Sequence, residues 1–330
     1  MIILWAFVFV IGLCIGSFLN VVILRSLSNE SIVFPASKCP KCQHKLYWWH
    51  NIPVLSYLIL RGKCGFCGEK ISIQYPIVEL VTGIIFVLLF LKFDFTVYTF
   101  ISWVIASLFI VLAVTDIKEK VVFDLHTYSL IATGFLCAFV STGVILYNDY
   151  TLLGKFDLNA NFLLNNPLTV SVLGALAGFA VMEVFSRIGY IFAGTRAFGE
   201  GDSYIAAGLG AIFGWRALLP ILILSVIIQI CIILPIFVKK EFEKGNKMTL
   251  VLLLAFVLYT FGYLFAQKSG LLNNIWIYTV ATLAFLALGL WVCKKILAGI
   301  KNPENQTCLP FGPALVLAGF VILLITPTIF

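Results

Sequence analysis

Residues 2–24 read IILWAFVFVIGLCIGSFLNVVIL, a stretch that contains no charged side chain. As an α-helix, this stretch is long enough to cross the ~30 Å hydrocarbon core of a bilayer. The rest of the chain has a similar character, with 62% hydrophobic and 11% charged residues and a mean hydropathy of +1.07 over 330 residues. This composition leaves too few polar side chains to cover a soluble domain. The sequence therefore predicts an all-α polytopic membrane protein.

Hydrophobic stretches recur along the chain and predict about 8–10 transmembrane helices. Because residues 2–24 lack a basic segment before them and reach full spanning length, we expect an anchor helix there and not a cleaved signal peptide. Residues 203–215 are short for a full crossing, which favours a broken or re-entrant helix. The candidate spans are residues 2–24, 76–91, 97–115, 126–147, 168–193, 203–215, 217–238, 248–266, 274–293 and 311–329.

Lysine and arginine residues are unevenly distributed between alternate loops of this pattern. Eighteen of the 22 fall on one side of the membrane and four on the other. The positive-inside rule assigns the richer side to the cytoplasm and therefore predicts that the N-terminus lies outside. The net charge of +7 arises from the same asymmetry and indicates attraction to anionic membrane lipid. No nucleic-acid-binding motif accompanies this charge, so we expect no nucleic-acid partner.

The sizeable polar segment between the first two spans contains two CxxC pairs, Cys39 with Cys42 and Cys64 with Cys67. Four thiolates in two such pairs are typical of a closed, tetrahedral zinc site. Disulfides, iron or a redox pair are the alternatives, although a reducing cytoplasm disfavours disulfides. A loop of this size buries few apolar side chains, so we expect zinc to supply much of its folding free energy.

Several carboxylates border or interrupt apolar stretches, where an ionised acid is costly unless it faces water or a partner. Such residues usually mark function, although any one of them can serve as an interfacial anchor or a helix cap. Glu183 lies four residues before Arg187 and is expected to pair with it. The full set is Glu79, Asp116, Asp124, Glu183 and Asp202.

Asp202 ends the segment Phe198-Gly199-Glu200-Gly201-Asp202, in which Gly199 and Gly201 leave room for a nearby backbone or a substrate. Small residues at four-residue spacing in 174–178 and 206–214 predict helices that pack backbone to backbone. Such packing would bring Asp116 and Asp202 together. Two adjacent carboxyl groups share a proton and provide an acid and a base at one place. The pattern predicts an aspartyl pair that hydrolyses a peptide bond without metal participating in the chemistry.

These motifs resemble those of the type IV prepilin leader peptidases, which are GxGD-type membrane aspartyl proteases that also methylate the new N-terminus. The resemblance covers residues 16–22, 37–42, 51–57, 61–64, 75–80, 199–202 and 310–313, together with Asp116 and Asp124. It implies that Asp116 and Asp202 are catalytic, with Gly199, Gly201 and Asp124 as supporting residues. It also implies that Cys39, Cys42, Cys64 and Cys67 bind structural zinc, and that S-adenosylmethionine is the methyl donor. Gly62 and Glu79 are the candidate residues for binding this donor.

The resemblance also implies a substrate and a location. The substrate would be a type IV prepilin or pseudopilin, whose short leader is removed at the cytoplasmic face of the bacterial inner membrane. The predicted domains are a first transmembrane helix at 1–24, a cytoplasmic zinc-binding loop domain at 25–75, a membrane catalytic core at 76–238, an inserted helical hairpin at 239–300 and a C-terminal transmembrane helix at 301–330.

Three features depart from the family pattern. Phe123 replaces a proline that usually precedes the second loop aspartate, Tyr204 replaces a lysine, and residues 239–300 replace a short loop. A catalytically inactive peptidase-like scaffold therefore stays an alternative. A proton-coupled transporter could also use intramembrane acids, but it would leave the cysteine loop unexplained and would be expected to contain internal inverted repeats, which the two halves do not show.

Overall fold

The computed structural model describes residues 2–28, 30–34, 37–153, 162, 165–193 and 199–243, parts of 251–262 and 279–291, and residues 310–326. The helices in this part of the chain are α1 (Ile2–Ser28), a 3-10 helix (Trp48–Asn51), α2 (Leu55–Ile59), α3 (Gln74–Phe93), α4 (Val97–Glu119), α5 (Asp124–Leu153), α6 (Pro167–Ala193), α7 (Glu200–Glu243) and α8 (Gly312–Ile325).

Six of these helices, α1 and α3 to α7, are long and apolar enough to cross a membrane. Helix α8 is also apolar but has only 14 residues. The helices, with a small polar domain between α1 and α3, confirm the predicted all-α polytopic membrane protein. The predicted spans at 248–266 and 274–293 lie largely outside the described residues.

The predicted spans at 203–215 and 217–238 both fall within α7. The backbone of this helix leaves helical geometry at Gly214, where φ is 75° and ψ is 169°. A positive φ costs glycine little, and a Cβ at this position would also overlap with the side chain of Val170. The break therefore lies next to the boundary that the hydrophobic pattern predicts.

Helices α1 and α3 cross at very short range because glycines form their interface. A Cβ on Gly12 would lie 2.7 Å from the Cα atom of Gly83, and a Cβ on Gly16 would lie 2.7 Å from the Cα atom of Glu79. Any side chain at these two glycines would push the helices apart. The resulting approach fixes the start of α3 against α1, next to the polar domain.

Helices α6 and α7 are also in backbone contact. A Cβ on Gly174 would overlap with the carbonyl group of Gly210, and one on Gly178 would overlap with the carbonyl group of Ala206. This confirms the close packing predicted from the small-residue spacing. Helix α7 also contacts α5, where a Cβ on Gly134 would lie 2.7 Å from the Cβ atom of Ala211.

The largest apolar core lies between α3, α4, α5, α6, α7 and α8. At one end of this core, the ammonium group of Lys92 donates hydrogen bonds to the carbonyl groups of Leu323 and Thr326, at the C-terminal end of α8. A cation at this position complements the helix dipole. Helices α3 and α8 therefore finish at the same end of the bundle, and both begin at the other. The buried core residues include Leu89, Phe109, Leu112, Leu130, Ile205, Leu209 and Leu315.

The chain divides into two compact units. The first comprises 1–189, 196–228 and 310–330, and the second comprises 190–195 and 229–309. Within the second unit, the hydroxyl group of Tyr259 donates a hydrogen bond to the carbonyl group of Ala281 at 2.9 Å. The domain boundaries proposed from the sequence, including the hairpin at 239–300, stay predictions.

Candidate active site and metal centre

Asp116 lies in the last turn of α4, and only 4% of the residue is exposed. The helix ends at Lys120, which adopts a left-handed conformation with a φ of 54°. Among the described residues, the Oδ2 atom of Asp116 is buried without a hydrogen-bond partner. Buried polar atoms are nearly always hydrogen-bonded, so a buried acceptor without a partner needs an explanation. The position of Asp116 therefore favours a functional role.

Asp202 is the third residue of α7 and is 7% exposed. Its Oδ2 atom accepts a hydrogen bond from the backbone N–H of Gly199 at 3.2 Å, and its own N–H donates to the carbonyl group of Gly199 at 3.2 Å. The side chain thus satisfies an amide group at the start of the helix, as in one half of a capping box. The helix N-terminus also stabilises negative charge at this position.

The first turn of α7 contacts the loop between α4 and α5. A Cβ on Gly201 would overlap with the side chain of Val122, so the absence of a side chain permits this contact. Gly199 is less constrained, because the nearest atom to a Cβ there would be Asp202 Oδ2 at 3.8 Å. The carboxyl groups of Asp116 and Asp202 are near enough to interact electrostatically. The fold therefore brings together the two aspartates predicted to be catalytic.

Gly312, the first residue of α8, also lies at this pair. Its backbone amide group lies close to the carboxyl group of Asp116, although it makes no hydrogen bond to the Oδ2 atom. A Cβ on Gly312 would overlap with Asp116 Oδ2 and would lie 3.2 Å from the Cδ1 atom of Ile205 in α7. The sequence identifies residues 310–313 only as a family motif. The role of Gly312 could not be inferred from the sequence, because it depends on a contact between two helices far apart in the chain.

Asp124 is the first residue of α5, and its side chain is exposed, unlike those of Asp116 and Asp202. The structure does not place it in the buried pair. Tyr204, which replaces the usual lysine, packs against the rings of Tyr128 and Phe179 at centroid distances of 5.8 and 5.5 Å. The remaining acid, Glu183, accepts a hydrogen bond from the guanidinium group of Arg187 at 3.0 Å, which confirms the predicted pair.

The two CxxC segments form turns with the same hydrogen bonds. In the first turn, Cys39 N–H donates to His44 O at 3.0 Å and Gln43 N–H donates to Cys39 O at 2.9 Å. In the second turn, Cys64 N–H donates to Glu69 O at 2.8 Å and Gly68 N–H donates to Cys64 O at 2.9 Å. Gln43 and Gly68 occupy equivalent positions and have positive φ values of 57° and 71°.

These two turns bring the four cysteine sulfurs together. All four Sγ atoms lie within 4.8 Å of one another, and Cys39 Sγ is 4.0 Å from Cys67 Sγ. A tetrahedral zinc ion with Zn–S bonds of ~2.3 Å places its sulfurs about 3.8 Å apart, so the arrangement fits such an ion. The cluster could therefore bind a metal ion.

Gly62 and Glu79, the candidates for the methyl donor, both contact the segment that contains α2. Glu79 Oε2 accepts a hydrogen bond from Val54 N–H, just before α2, at 2.7 Å. The side chain of Ser17 in α1 also interacts with Glu79. Gly62 has a φ of 68°, and a Cβ on it would lie 3.0 Å from the hydroxyl oxygen of Tyr57 in α2. Through these contacts, both residues anchor the loop domain. The same contacts do not by themselves indicate a binding site for the methyl donor.

The fold and these two sites define a multi-pass membrane protein with a buried carboxylate pair and a four-thiol centre. Residues 10–93 match the Bacterial Peptidase A24 N-terminal domain, and residues 103–234 match the Type IV leader peptidase family. The chain belongs to the type IV leader peptidase family, as the motifs indicated.

Several curated relatives are named prepilin leader peptidase/N-methyltransferase. The chain is 37% identical to the protein from Myxococcus xanthus over 66% of its own length and 59% of that relative. It is 34% identical to the protein from Klebsiella pneumoniae over 67% of its own length and 91% of the relative. It is 31% identical to the protein from Neisseria gonorrhoeae over 73% of its own length and 85% of the relative. No solved structure matches the chain.

Proposed function

We propose that this protein is a membrane aspartyl endopeptidase that removes the short leader of type IV prepilins or pseudopilins. The observation that carries the proposal is that two buried carboxyl groups, those of Asp116 and Asp202, lie near enough to interact electrostatically. Family membership and the name shared by the relatives support the same activity.

The two aspartates would have different roles in hydrolysis, one as a general base and the other as a general acid. One carboxylate would accept a proton from a water molecule as that water attacks the peptide carbonyl, and the other carboxyl group would donate a hydrogen bond to the carbonyl oxygen. When the intermediate collapses, a proton would pass to the leaving nitrogen. Burial excludes bulk water and strengthens these electrostatic interactions. Gly312 would hold Asp116 in place, and Gly199 would orient Asp202 through its N–H group.

We place this chemistry at the cytoplasmic face of the membrane. Asp116 lies near the end of α4, Asp202 lies near the start of α7, and the loop domain precedes α3. Because α4 runs antiparallel to α3 in this assignment, the loop domain and Asp116 belong to the same end of the bundle. The basic residues counted from the sequence favour the cytoplasm for this end.

Zinc would occupy the four-cysteine centre in a structural role. Four thiolates fill a tetrahedral coordination sphere and leave no open position for a substrate. Cys39, Cys42, Cys64 and Cys67 would hold the ion, and the paired turns would stay folded around it. Peptide hydrolysis by the aspartates does not require this metal.

Methylation of the newly exposed N-terminus is the second activity that we propose, with S-adenosylmethionine supplying the methyl group. The support is the name of the relatives. Gly62 and Glu79 stay the candidate residues for binding the methyl donor, and both contact the segment that contains α2.

The peptidase accounts for the observations better than a transporter, which would explain neither the four-cysteine centre nor the family match. The inactive-scaffold alternative depends on Phe123 and Tyr204. Neither change removes a carboxylate of the pair, and Tyr204 packs within an aromatic group.

Co-expression with a prepilin tests both activities in one measurement. The intact mass of the pilin reports loss of the leader and addition of a methyl group. We expect cleavage by the wild-type protein and no cleavage by Asp116→Asn or Asp202→Asn. Cleavage by either variant at the wild-type rate would refute the assignment of the pair, and failure of the wild type on several prepilins would favour the inactive scaffold.

A further inference from the structure

The loop domain exposes large apolar side chains on its two short helices. In the 3-10 helix, Trp48 is 74% exposed, and in α2, Ile59 is 77% exposed. Trp49, Leu55 and Leu58 are exposed as well. Water is an unfavourable environment for so many apolar side chains on a domain of this size.

A hydrogen bond ties the start of α2 to the first turns of α3, a helix that is long and apolar enough to cross a membrane. Glu79, which binds the N–H of Val54 at 2.7 Å, is the sixth residue of α3. At 1.5 Å per residue, it lies roughly 7 Å along this membrane-spanning helix. The side-chain amide of Asn20 in α1 also donates to the carbonyl group of Tyr75 at 3.1 Å, which aligns α1 with the start of α3. Helix α2 is thus tied to the first turns of a transmembrane helix and does not extend away from the bundle.

The charge of the loop domain complements an anionic surface. Residues 37–73 contain six basic residues and one acidic residue, Glu69, so the difference is 6 − 1 = +5. Four thiolates with one zinc ion would contribute −2 and leave about +3. Tryptophan next to lysine and arginine is the composition that favours the headgroup region of a bilayer. The basic residues are Lys38, Lys41, Lys45, Arg61, Lys63 and Lys70.

We propose that the 3-10 helix and α2 lie in the headgroup region of an anionic bilayer. Trp48, Trp49 and the leucine and isoleucine side chains of α2 would contact the acyl-chain boundary, while the basic side chains would contact lipid phosphates. The lipid would then hold the loop domain against the same end of the bundle as Asp116. This inference does not depend on the proposed peptidase activity.

Brominated lipids provide the test, because bromine quenches tryptophan fluorescence at short range. The full-length protein would be placed in bilayer discs of phosphatidylcholine with or without phosphatidylglycerol, with either lipid brominated. The signal of Trp48 and Trp49 is the difference between wild type and the double variant Trp48→Phe, Trp49→Phe. These substitutions keep aromatic side chains, and an unchanged zinc content would verify that the domain is folded. Trp215→Phe, which removes an exposed tryptophan of α7, is the matched control.

We expect the Trp48 and Trp49 signal to be quenched more strongly by brominated phosphatidylglycerol than by brominated phosphatidylcholine, and this preference to decrease with salt. Replacing Lys38 and Lys45 by glutamine should reduce the preference. The Trp215 signal should show a weaker preference, because its neighbouring cation, Arg216, is one charge against the six of the loop domain. Absence of quenching by both lipids would overturn the proposal and indicate that water or a protein partner covers these side chains. Equal quenching by both lipids would also contradict it, because the basic residues would then have no effect.

Discussion

Replacing Gly312 by alanine would place a methyl group against the catalytic carboxyl group proposed here. The added Cβ would overlap with Asp116 Oδ2 and would lie 3.2 Å from both Asp116 Cγ and Ile205 Cδ1. The carboxyl group would have to move by about 1 Å to restore normal contact distances. Such a displacement of a reacting group costs about 100-fold in rate, and overpacking costs about 1–3 kcal/mol of stability. We expect kcat/KM for prepilin cleavage to fall about 100-fold while the protein still inserts into membranes.

Two other glycines provide controls for this prediction. In the same helix, a Cβ on Gly319 would lie 2.5 Å from Leu209 Cδ2 and 3.2 Å from Phe109 Cζ, so Gly319→Ala crowds apolar side chains instead of the carboxylate. Gly143→Ala adds a methyl group where no atom lies within 4 Å. Cleavage rates would be measured in bilayer discs and normalised to the amount of folded protein. If Gly312→Ala loses no more activity than Gly319→Ala, the contact with Asp116 has no catalytic consequence.

Three further predictions concern the carboxylates and the metal centre. Asp116→Asn and Asp202→Asn should each abolish cleavage, as measured by pilin mass, because each removes an ionisable carboxyl group of the pair. Cys39→Ser and Cys64→Ser should lower the zinc content measured by elemental analysis and increase proteolysis of the loop domain, because one thiolate ligand is lost. Glu79→Ala should increase hydrogen exchange in residues 52–60, whereas Glu79→Gln should do so less, because glutamine keeps an acceptor for the Val54 N–H.

Each of these predictions has a control in the same chain. Asp94→Asn changes an exposed acid outside the pair and should leave cleavage unchanged. Cys14→Ser changes an exposed cysteine of α1 and should leave the zinc content unchanged. Full zinc content in the Cys39→Ser variant would contradict a four-thiolate site, and unaltered exchange in Glu79→Ala would show that this carboxylate does not anchor α2.

The membrane helices could be predicted from sequence because hydrophobicity and length are local properties. The prediction for α4 ended at residue 115 and the helix ends at Glu119, and the two predicted spans around Gly214 fall within α7. Both differences concern helix ends. Hydropathy marks where the apolar segment stops, but a helix ends where backbone hydrogen bonding stops, which at α4 is the left-handed Lys120.

The chemistry of the candidate site could be predicted from the sequence, but the residues that form it could be predicted only in part. The two CxxC pairs and the aspartates next to apolar stretches stand out in the sequence, since each is an unusual residue type in its surroundings. Asp124 shares these properties with Asp116, yet its side chain is exposed at the start of α5. Which acid is buried depends on how the helices pack, and sequence position alone does not give this.

The sequence by itself determined that the chain is a helical membrane protein with a four-cysteine domain and acids near the membrane boundary, because composition, hydrophobic length and motif spacing are properties of neighbouring residues. Only the tertiary structure decided that Gly312 contacts Asp116, that Gly201 packs against Val122, and that Glu79 holds α2 through Val54. Each of these contacts joins separate helices or a helix and a loop. Such contacts exist only after glycine-mediated packing has brought the backbones together.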